Sequence, residues 1–111
     1  MATDNNFDIK TDINGNTVTI EIHDGQILCS KFFGIIKEKK AFIIRIDTDK
    51  NYRFKGLGKK CVQEFEKIAR QRGCTELVLA SENEESHKFY NKLDFKKNPQ
   101  STMYAREIER D

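Results

Sequence analysis

Hydrophobic and polar residues alternate with a period of two along the first segments of the chain. Residues 7–13 read F-D-I-K-T-D-I and residues 17–22 read T-V-T-I-E-I, so each segment predicts a β-strand. Asn14-Gly15 separates the two segments, and Asp24-Gly25 follows the second. Because such dipeptides accept the positive φ angles of a type I′ turn, the pattern predicts two successive hairpins, which form a meander.

The third segment, residues 27–36, has apolar residues on both faces around its middle. This pattern is typical of a central strand that is covered on both sides, with a bulge near Ser30 or Gly34. The charged run K-E-K-K at residues 37–40 turns the chain, and A-F-I-I-R-I-D at residues 41–47 predicts the fourth strand.

A helical period begins after the fourth strand. From Leu57 the apolar positions fall at i, i+4, i+5, i+8, i+11 and i+12, which predicts an α-helix over residues 57–72 that Gly73 ends. Residues 75–80 predict a short apolar strand, residues 84–92 a second helix and residues 102–108 a last strand.

The order of these elements predicts a fold of the α/β type in the broad sense, and of the α+β class in the narrower one, because most of its strands are antiparallel. We expect a mixed, mostly antiparallel sheet of about six strands with two main helices. A strand, helix and strand joined by short connections place the fourth and fifth strands side by side and parallel, with a right-handed crossover. The turn after the fourth strand then lies at the carboxyl edge of the sheet, where ligands of α/β sheets bind.

Composition restricts the class of protein. The 111 residues predict one domain, residues 1–111, and a charged fraction of 34% with a mean hydropathy of -0.73 indicates a polar globular chain. No apolar run approaches the roughly 18 residues of a membrane span, and the first residues lack the layout of a signal peptide, so we expect a cytoplasmic protein.

Net charge and cysteine content restrict the classes of ligand that the chain is expected to bind. A net charge of +2 is too small to favour nucleic acid, although it leaves room for a small anion. The three cysteines are odd in number and have no C-x-x-C spacing, which favours a reducing compartment over disulfides or a zinc site. We therefore expect no metal ion.

Residues 52–60 read Y-R-F-K-G-L-G-K-K and carry the chemistry that the rest of the chain positions. A glycine-bearing turn that leads from a strand into a helix exposes backbone N–H groups at the helix start. These groups and the helix dipole favour an anion, so the stretch predicts a phosphate-binding turn. The alternative is a helix start whose lysines are only solvated.

Two motifs together resemble the GNAT superfamily of acyl-CoA-dependent N-acetyltransferases. The acyl-CoA signature of that family, Q/R-x-x-G-x-G/A, is matched by Arg53, Gly56 and Gly58. Its second signature, an asparagine after the next strand and a helix that ends Y-x-K-L-G-F, is matched by Asn83 and by residues 90–95, Y-N-K-L-D-F. The resemblance covers about half of the chain, residues 41–95.

The resemblance implies a single acyl-CoA-binding domain with its cleft between the fourth and fifth strands, and acetyl-CoA as the co-substrate. It places the pyrophosphate on backbone N–H groups of the glycine turn, the thioester carbonyl near residues 46–48, and a proton donor to the departing thiolate at Tyr90. The alternative for Tyr90 is a packed core tyrosine. The cofactor-binding residues that it implies are Ile46, Asp47, Thr48, Arg53, Phe54, Lys55, Gly56, Leu57, Gly58, Lys59 and Asn83.

Two departures from the family pattern affect the acceptor side. Members that act on lysine often have a glutamate base eleven residues before the Arg53 position, where this chain has Phe42. Other candidates for a base are the carboxylates Asp47, Asp49 and Glu82 and the imidazole of His87. Most members also have helices between the first two strands, which Asn14-Gly15 joins directly here. We therefore expect an acceptor side that is open, or that a second subunit completes in a homodimer.

The leading hypothesis is a minimal GNAT-like N-acetyltransferase that transfers an acetyl group from acetyl-CoA directly to an amine of a peptide, a protein or a small molecule. One alternative is an acyl-CoA-binding module without catalysis, which the absent glutamate and the absent helices favour. Another is a basic nucleic-acid interaction domain, which the small net charge opposes.

Overall fold

Seven strands, two helices and one 3₁₀ turn make up the portion of the chain that the structure, a computed structural model, describes: residues 7–80, 84–97 and 103–108. The strands are β1 (Phe7–Asn14), β2 (Thr17–Asp24), β3 (Ile27–Lys37), β4 (Lys40–Thr48), β5 (Glu76–Ala80), β6 (Lys96–Lys97) and β7 (Met103–Glu107). The helices are α1 (Leu57–Gln71) and α2 (Glu84–Lys92), and the 3₁₀ turn is Lys50–Tyr52.

The strands form one sheet in the order β1-β2-β3-β4-β5-β7-β6. Every neighbouring pair is antiparallel except β4 and β5, which are parallel and flank the crossover through α1. The predicted fold class is confirmed, including the meander of β1 to β4 and the two main helices. The sheet has one strand more than the six expected, because β6 adds two lysines that pair with Ala105 and Tyr104 of β7.

Both predicted hairpins form, but their turns are not of type I′. The residues between β1 and β2 are Gly15 and Asn16. Gly15 has a positive φ of +62°, and Asn16 has a negative one. Gly25, with φ +63°, takes the same place between β2 and β3. A type I′ turn needs two positive φ angles, whereas a type II′ turn needs one, at its first central residue. The glycines are therefore first in each turn rather than second.

Two bulges interrupt the ladders of β3, close to the predicted positions. Between β2 and β3 the register passes from Ile22↔Ser30 to His23↔Leu28, so Cys29 is the extra residue. Between β3 and β4 it passes from Phe33↔Arg45 to Gly34↔Ile43, and the extra residue is Ile44 of β4. The second bulge is opposite Gly34, on the neighbouring strand.

Both helices pack on the same face of the sheet. Phe65 of α1 lies against β3, where a Cβ atom on Gly34 would be 2.6 Å from its Cζ. The ring of His87 in α2 lies 5.3 Å from that of Tyr104, a buried residue whose register partner Leu79 belongs to the same core. Neither described helix is long and apolar enough to cross a membrane.

The opposite face of the sheet carries a row of apolar register partners. Ile35 of β3 pairs with Phe42 of β4, Phe42 with Val78 of β5, and Val78 with Ala105 of β7. Val78 is buried but does not belong to the core cluster beneath the helices. No described helix covers this row, in which Ile35, Phe42 and Ala105 are half-buried.

Candidate active site

A gap separates β4 from β5 over the second half of β4. The two strands pair only from Lys40↔Glu76 to Ile43↔Leu79. The bulge at Ile44 follows directly, and β4 continues to Thr48 without β5 beside it. Because a bulge bends its strand and increases the local twist, Ile44 accounts for the divergence of the two strands. The cleft predicted between the fourth and fifth strands is therefore present.

Backbone polar groups of β4 face this gap. The N–H of Asp49 donates to the carbonyl oxygen of Cys29 on β3 at 2.8 Å. In an antiparallel ladder successive residues point alternately toward and away from the partner strand. The backbone groups of Asp47 therefore point to β3, whereas those of Ile46 and Thr48 point into the gap. The Ile46 side chain packs on the core, so only its backbone is directed to a ligand.

A buried hydroxyl cluster fixes the end of β4. Ser30 Oγ donates to the carbonyl oxygen of Asp47 at 3.2 Å and lies 3.0 Å from Thr48 Oγ1 and 3.9 Å from Cys61 Sγ of α1. Ser30 is 1% exposed, so β3, β4 and α1 meet at this hydroxyl. The sequence analysis noted Ser30 only as a bulge position. The other feature of the sequence that could have revealed Ser30 is that it is a single hydroxyl residue within an apolar segment.

The turn between β4 and α1 is anchored at its start and exposed afterwards. The Tyr52 hydroxyl donates to Asp24 Oδ2 at 3.0 Å, and this hydrogen bond is the main cause that raises the pKa of Tyr52 to about 12. Arg53 and Lys55 are exposed. Phe54 between them is 100% exposed and has a φ of +64°, which is unusual for a residue other than glycine.

The start of α1 presents backbone N–H groups without a side-chain cap. Gly56 is the N-cap residue with φ +78°, and no side chain caps the helix. The bond from Lys60 N to Gly56 O, at 3.0 Å, closes the first turn, so the N–H groups of residues 57–59 lie at the positive end of the helix dipole. No atom lies within 4 Å of a Cβ placed on Gly56. The helix start is therefore open to an anion.

The predicted residues of this turn contribute in different ways. The Leu57 side chain is buried in the core, so only its backbone faces the turn. Lys59 is exposed beside the helix start. Gly58 allows the two helices to approach, because a Cβ at this position would lie 3.2 Å from Cζ of Phe89 and 3.9 Å from Cγ2 of Ile46. Sequence analysis had assigned Gly58 only to the phosphate turn.

Tyr90 lies in α2 within an aromatic cluster. Its ring is 4.9 Å from that of Phe89 and 5.5 Å from that of Phe95, and the residue is 8% exposed. Desolvation by burial raises the pKa of Tyr90 to about 12. The structure thus agrees with the packed core tyrosine and also places Tyr90 next to Phe89, whose ring lies beside Gly58 of α1.

The predicted bases are engaged in local structure where the structure describes them. Asp47 accepts from Arg45 Nε at 2.6 Å, and Asp49 accepts from the Asn51 N–H at 2.8 Å. His87 stacks near Tyr104. Phe42 lies on the sheet face opposite the helices. Glu82 and Asn83 lie outside the described residues.

Comparison with known proteins identifies the fold and the family. Residues 13–95 match the family model of the Acetyltransferase (GNAT) family. No curated protein matches the chain in sequence. The PaiA N-acetyltransferase of Thermoplasma acidophilum, solved in complex with coenzyme A, superposes with a TM-score of 0.74 at 23% identity, and the match covers 83% of this chain and 61% of that one.

Two further solved structures show the same fold. The ribosomal-protein-S18-alanine N-acetyltransferase of Escherichia coli has a TM-score of 0.72 at 15% identity, over 89% of this chain and 74% of that one. Ard1 of Thermoplasma volcanium has a TM-score of 0.71 at 18% identity, over 83% and 71%. The chain thus spans between three fifths and three quarters of the length of these structures.

Proposed function

Because the chain belongs to the GNAT family of acetyltransferases, we propose that it transfers an acetyl group from acetyl-CoA directly to an amine acceptor. The family uses acetyl-CoA as its acyl donor. The observation that carries the proposal for this chain is the gap between β4 and β5 that ends at the uncapped, glycine-bearing start of α1.

The residues of the gap fit an acyl-CoA. The helix start and the exposed cations Arg53, Lys55 and Lys59 suit the pyrophosphate, because backbone N–H groups and guanidinium and ammonium groups all favour anions. Ile46 and Thr48 direct backbone polar groups into the gap, where they can bond the amides of the pantetheine arm. Phe54, Gly56, Leu57 and Gly58 complete the described portion of this binding site, and Asn83 belongs to the same proposal. Asp47 lies between the two residues that face the gap, and its own backbone points to β3.

The transfer needs little from the protein beyond positioning and a proton donor. The amine nitrogen attacks the thioester carbonyl carbon, a C–N bond forms, and the C–S bond breaks with release of coenzyme A thiolate. In the proposal the Tyr90 hydroxyl donates its proton to the departing sulfur. The backbone N–H of Ile46, which is nearer than Thr48 to the end of the gap at Ile43, stabilises the carbonyl oxygen as it gains negative charge.

An acyl-CoA-binding module without turnover is the second candidate. Phe42 favours it, because this residue stands on β4 where a glutamate base is often found. The first carboxylate farther along β4, that of Asp47, accepts from Arg45 Nε at 2.6 Å. Direct transfer remains the first proposal, since an amine that loses its proton to water needs no base from the protein.

The acceptor side and the cellular location belong to the same proposal. With β1 and β2 joined directly, the acceptor face is open in one copy of the chain. A homodimer that completes this face is the alternative to a single open copy. The cytoplasm, the location expected from the sequence, supplies both acetyl-CoA and amine acceptors. Cytoplasmic location is tested by fractionation of cells that express the tagged full-length protein.

The deciding experiment measures thiol release from acetyl-CoA across a panel of peptides, small amines and polyamines. The protein's own thiols should add little to the thiol signal, because Cys29, Cys61 and Cys74 are at most 2% exposed and burial raises the pKa of each thiol. Turnover with one class of amine supports the transferase. Coenzyme A binding without turnover on any amine supports the binding module instead.

The binding site is tested separately with Gly56→Val. A β-branched residue at φ +78° is strained and fills the space that a pyrophosphate needs. Gly15→Val is the matched control, because Gly15 also has a positive φ and open surroundings but lies in the β1–β2 turn. At about 100 Kd, coenzyme A should stabilise the native chain and Gly15→Val by about 2.7 kcal/mol, and Gly56→Val by much less.

Amide exchange locates the ligand along β4. Coenzyme A should slow exchange at the Ile46 and Thr48 amides, which point into the gap, and change little at Asp47, whose amide points to β3. Equal stabilisation of Gly56→Val and Gly15→Val, with no protection of Ile46 and Thr48, would place the ligand elsewhere.

A further inference from the structure

A groove of about 590 Å³ lies on the open face of the sheet, at the turn between β3 and β4. Phe42 forms its apolar side, and the charged run at residues 37–40 forms the rest. This volume falls within the roughly 300–1,000 Å³ of small-molecule and peptide pockets. The sequence analysis treated the charged run only as a turn, although Phe42 follows it by two residues.

The groove adjoins the closed end of the gap between β4 and β5. Phe42 pairs with Val78 in the short parallel stretch, and the two strands diverge immediately after Ile43. The anion site at α1 lies at the other end of the gap, after Thr48. An acyl-CoA with its pyrophosphate on α1 therefore has its thioester end directed toward Phe42, so an amine acceptor approaches from the groove.

The groove is positively charged on its β3–β4 side. Its lining carries Lys37, Lys39 and Lys40 against Glu38. Lys40 Nζ lies 3.8 Å from Glu76 of β5, whereas Lys37 and Lys39 have no ion pair with any residue in the ranges 7–80, 84–97 and 103–108. Two ammonium groups beside an aromatic ring thus have no described counter-charge, and they complement carboxylates of a ligand.

We propose that this groove binds the acceptor, and that the acceptor is an acidic peptide segment whose amine enters the gap while its carboxylates meet Lys37 and Lys39. The inference rests on the proposed acetyl transfer, since it names the acceptor class of the same site. It excludes polyamines and lysine-rich peptides as good acceptors, because their positive charges are repelled by Lys37 and Lys39.

The geometry sets the spacing within the acceptor. Lys40 is four positions before Ile44, where the gap opens. At about 3.3 Å per position, the distance between them along the strand is on the order of 13 Å. An extended peptide covers that distance with about four residues. The carboxylates should therefore lie within about four residues of the acetylated amine.

Acceptor choice is tested with two sets of hexapeptides and acetyl-CoA in the thiol-release assay. One set offers an N-terminal serine amine, and the other offers one central lysine with a blocked N-terminus. Within each set the neighbouring three positions are glutamate, glutamine or lysine. In the set whose amine the enzyme accepts, we expect the KM of the glutamate peptide to be about five- to tenfold lower than that of the glutamine peptide, because two exposed charge pairs form. We expect no turnover of the lysine-rich peptide.

The double variant Lys37→Glu with Lys39→Glu should reverse this order. Lys67→Glu, an exposed lysine of α1 on the other side of the sheet, is the matched control and should keep the native order. Anisotropy of the fluorescein-labelled glutamate peptide, in the presence of coenzyme A, gives a second readout that does not depend on turnover.

The outcomes separate the groove from the transfer reaction. Equal KM for glutamate and glutamine peptides, or an unchanged order in the double variant, overturns the acidic acceptor while the enzyme stands. Peptide binding that the double variant loses, without thiol release, supports the groove and overturns the transfer. Absence of both binding and preference overturns the groove.

Discussion

At the scale of single residues, the acid chemistry depends on how dry the gap is. Burial raises the pKa of Tyr90 to about 12, and burial also raises the pKa of the Cys61 thiol, to about 11. A phenol at about 12 is a poor acid toward a solvated thiolate, whose thiol has a pKa of about 8.5. In a site as dry as that of Cys61, burial raises the pKa of the departing thiol in the same direction as that of Tyr90, so the mismatch between the two groups is smaller. Tyr90 therefore serves as the donor only if the gap excludes water when acetyl-CoA is bound.

Replacing the Tyr90 hydroxyl should affect turnover and not coenzyme binding. Tyr90→Phe should lower kcat by about a hundredfold, the lower range for loss of a general acid, and leave the Kd for coenzyme A within about twofold. Tyr104→Phe, at another buried tyrosine, is the control and should keep its turnover. Steady-state kinetics and calorimetry supply the two numbers. An unchanged kcat would leave Tyr90 with a packing role only.

The pH dependence of the same residue has a definite sign. The folded pKa of about 12 is above the unfolded value of about 10, so the contribution of Tyr90 to stability is complete below pH 10 and is lost as the pH rises toward 12. Tyr52 titrates in the same window. Turnover should therefore show no loss from Tyr90 ionisation below about pH 10, and Tyr90→Phe should weaken the decline in stability between pH 10 and 12 without removing it.

At the scale of elements, the sequence predicted the features that depend on local pattern. The bounds of α2 and the meander of β1 to β4 follow from period and turn residues, and both are present. The strand β6 has no such pattern, because Lys96 and Lys97 pair with β7 only through the path of the chain. Ile44 likewise reads as one more apolar strand residue, and only the register against Gly34 reveals it as the bulge that opens the gap.

The candidate site divides in the same way. Arg53, Gly56 and Gly58 are close in sequence, so a motif reveals them. Ser30 and Phe89 reach the site from other elements, and a pattern along one segment contains no information about such a contact. The groove at the β3–β4 turn is different, because Lys40 and Phe42 are two residues apart in one strand and the alternation of the strand already places them on one face.

The approach of α1 to α2 at Gly58 should be energetically coupled to Phe89. Gly58→Ala gains helix propensity of up to about 1 kcal/mol but forces a methyl group within 3.2 Å of the Phe89 ring. We expect the single variant to be no more stable than the native chain. Combined with Phe89→Leu, the alanine should recover its propensity, with a coupling energy of about 1 kcal/mol in urea unfolding. Strict additivity of the two changes would show that the helices do not meet at Gly58.

At the scale of the whole molecule, the sheet is covered on one face and open on the other. The apolar row of Ile35, Phe42, Val78 and Ala105 spans the open face. Beside it runs a row of charged register partners, Lys37, Lys40, Glu76 and Glu107. The open face thus offers a strip of apolar surface next to charges, which suits a bound peptide strand better than a broad contact.

The solution mass should be that of one chain. A stable dimer contact buries on the order of 1,000 Å² or more with an apolar centre depleted of charged residues, whereas the apolar row of the open face is bordered by charges. Light scattering across a micromolar concentration series should therefore give 13.0 kDa, with specific activity independent of dilution. A mass of twice 13.0 kDa, with activity that falls on dilution, would instead show that a second copy completes the acceptor side. Added glutamate peptide should then compete with dimerisation, because both would occupy the face that Phe42 lines.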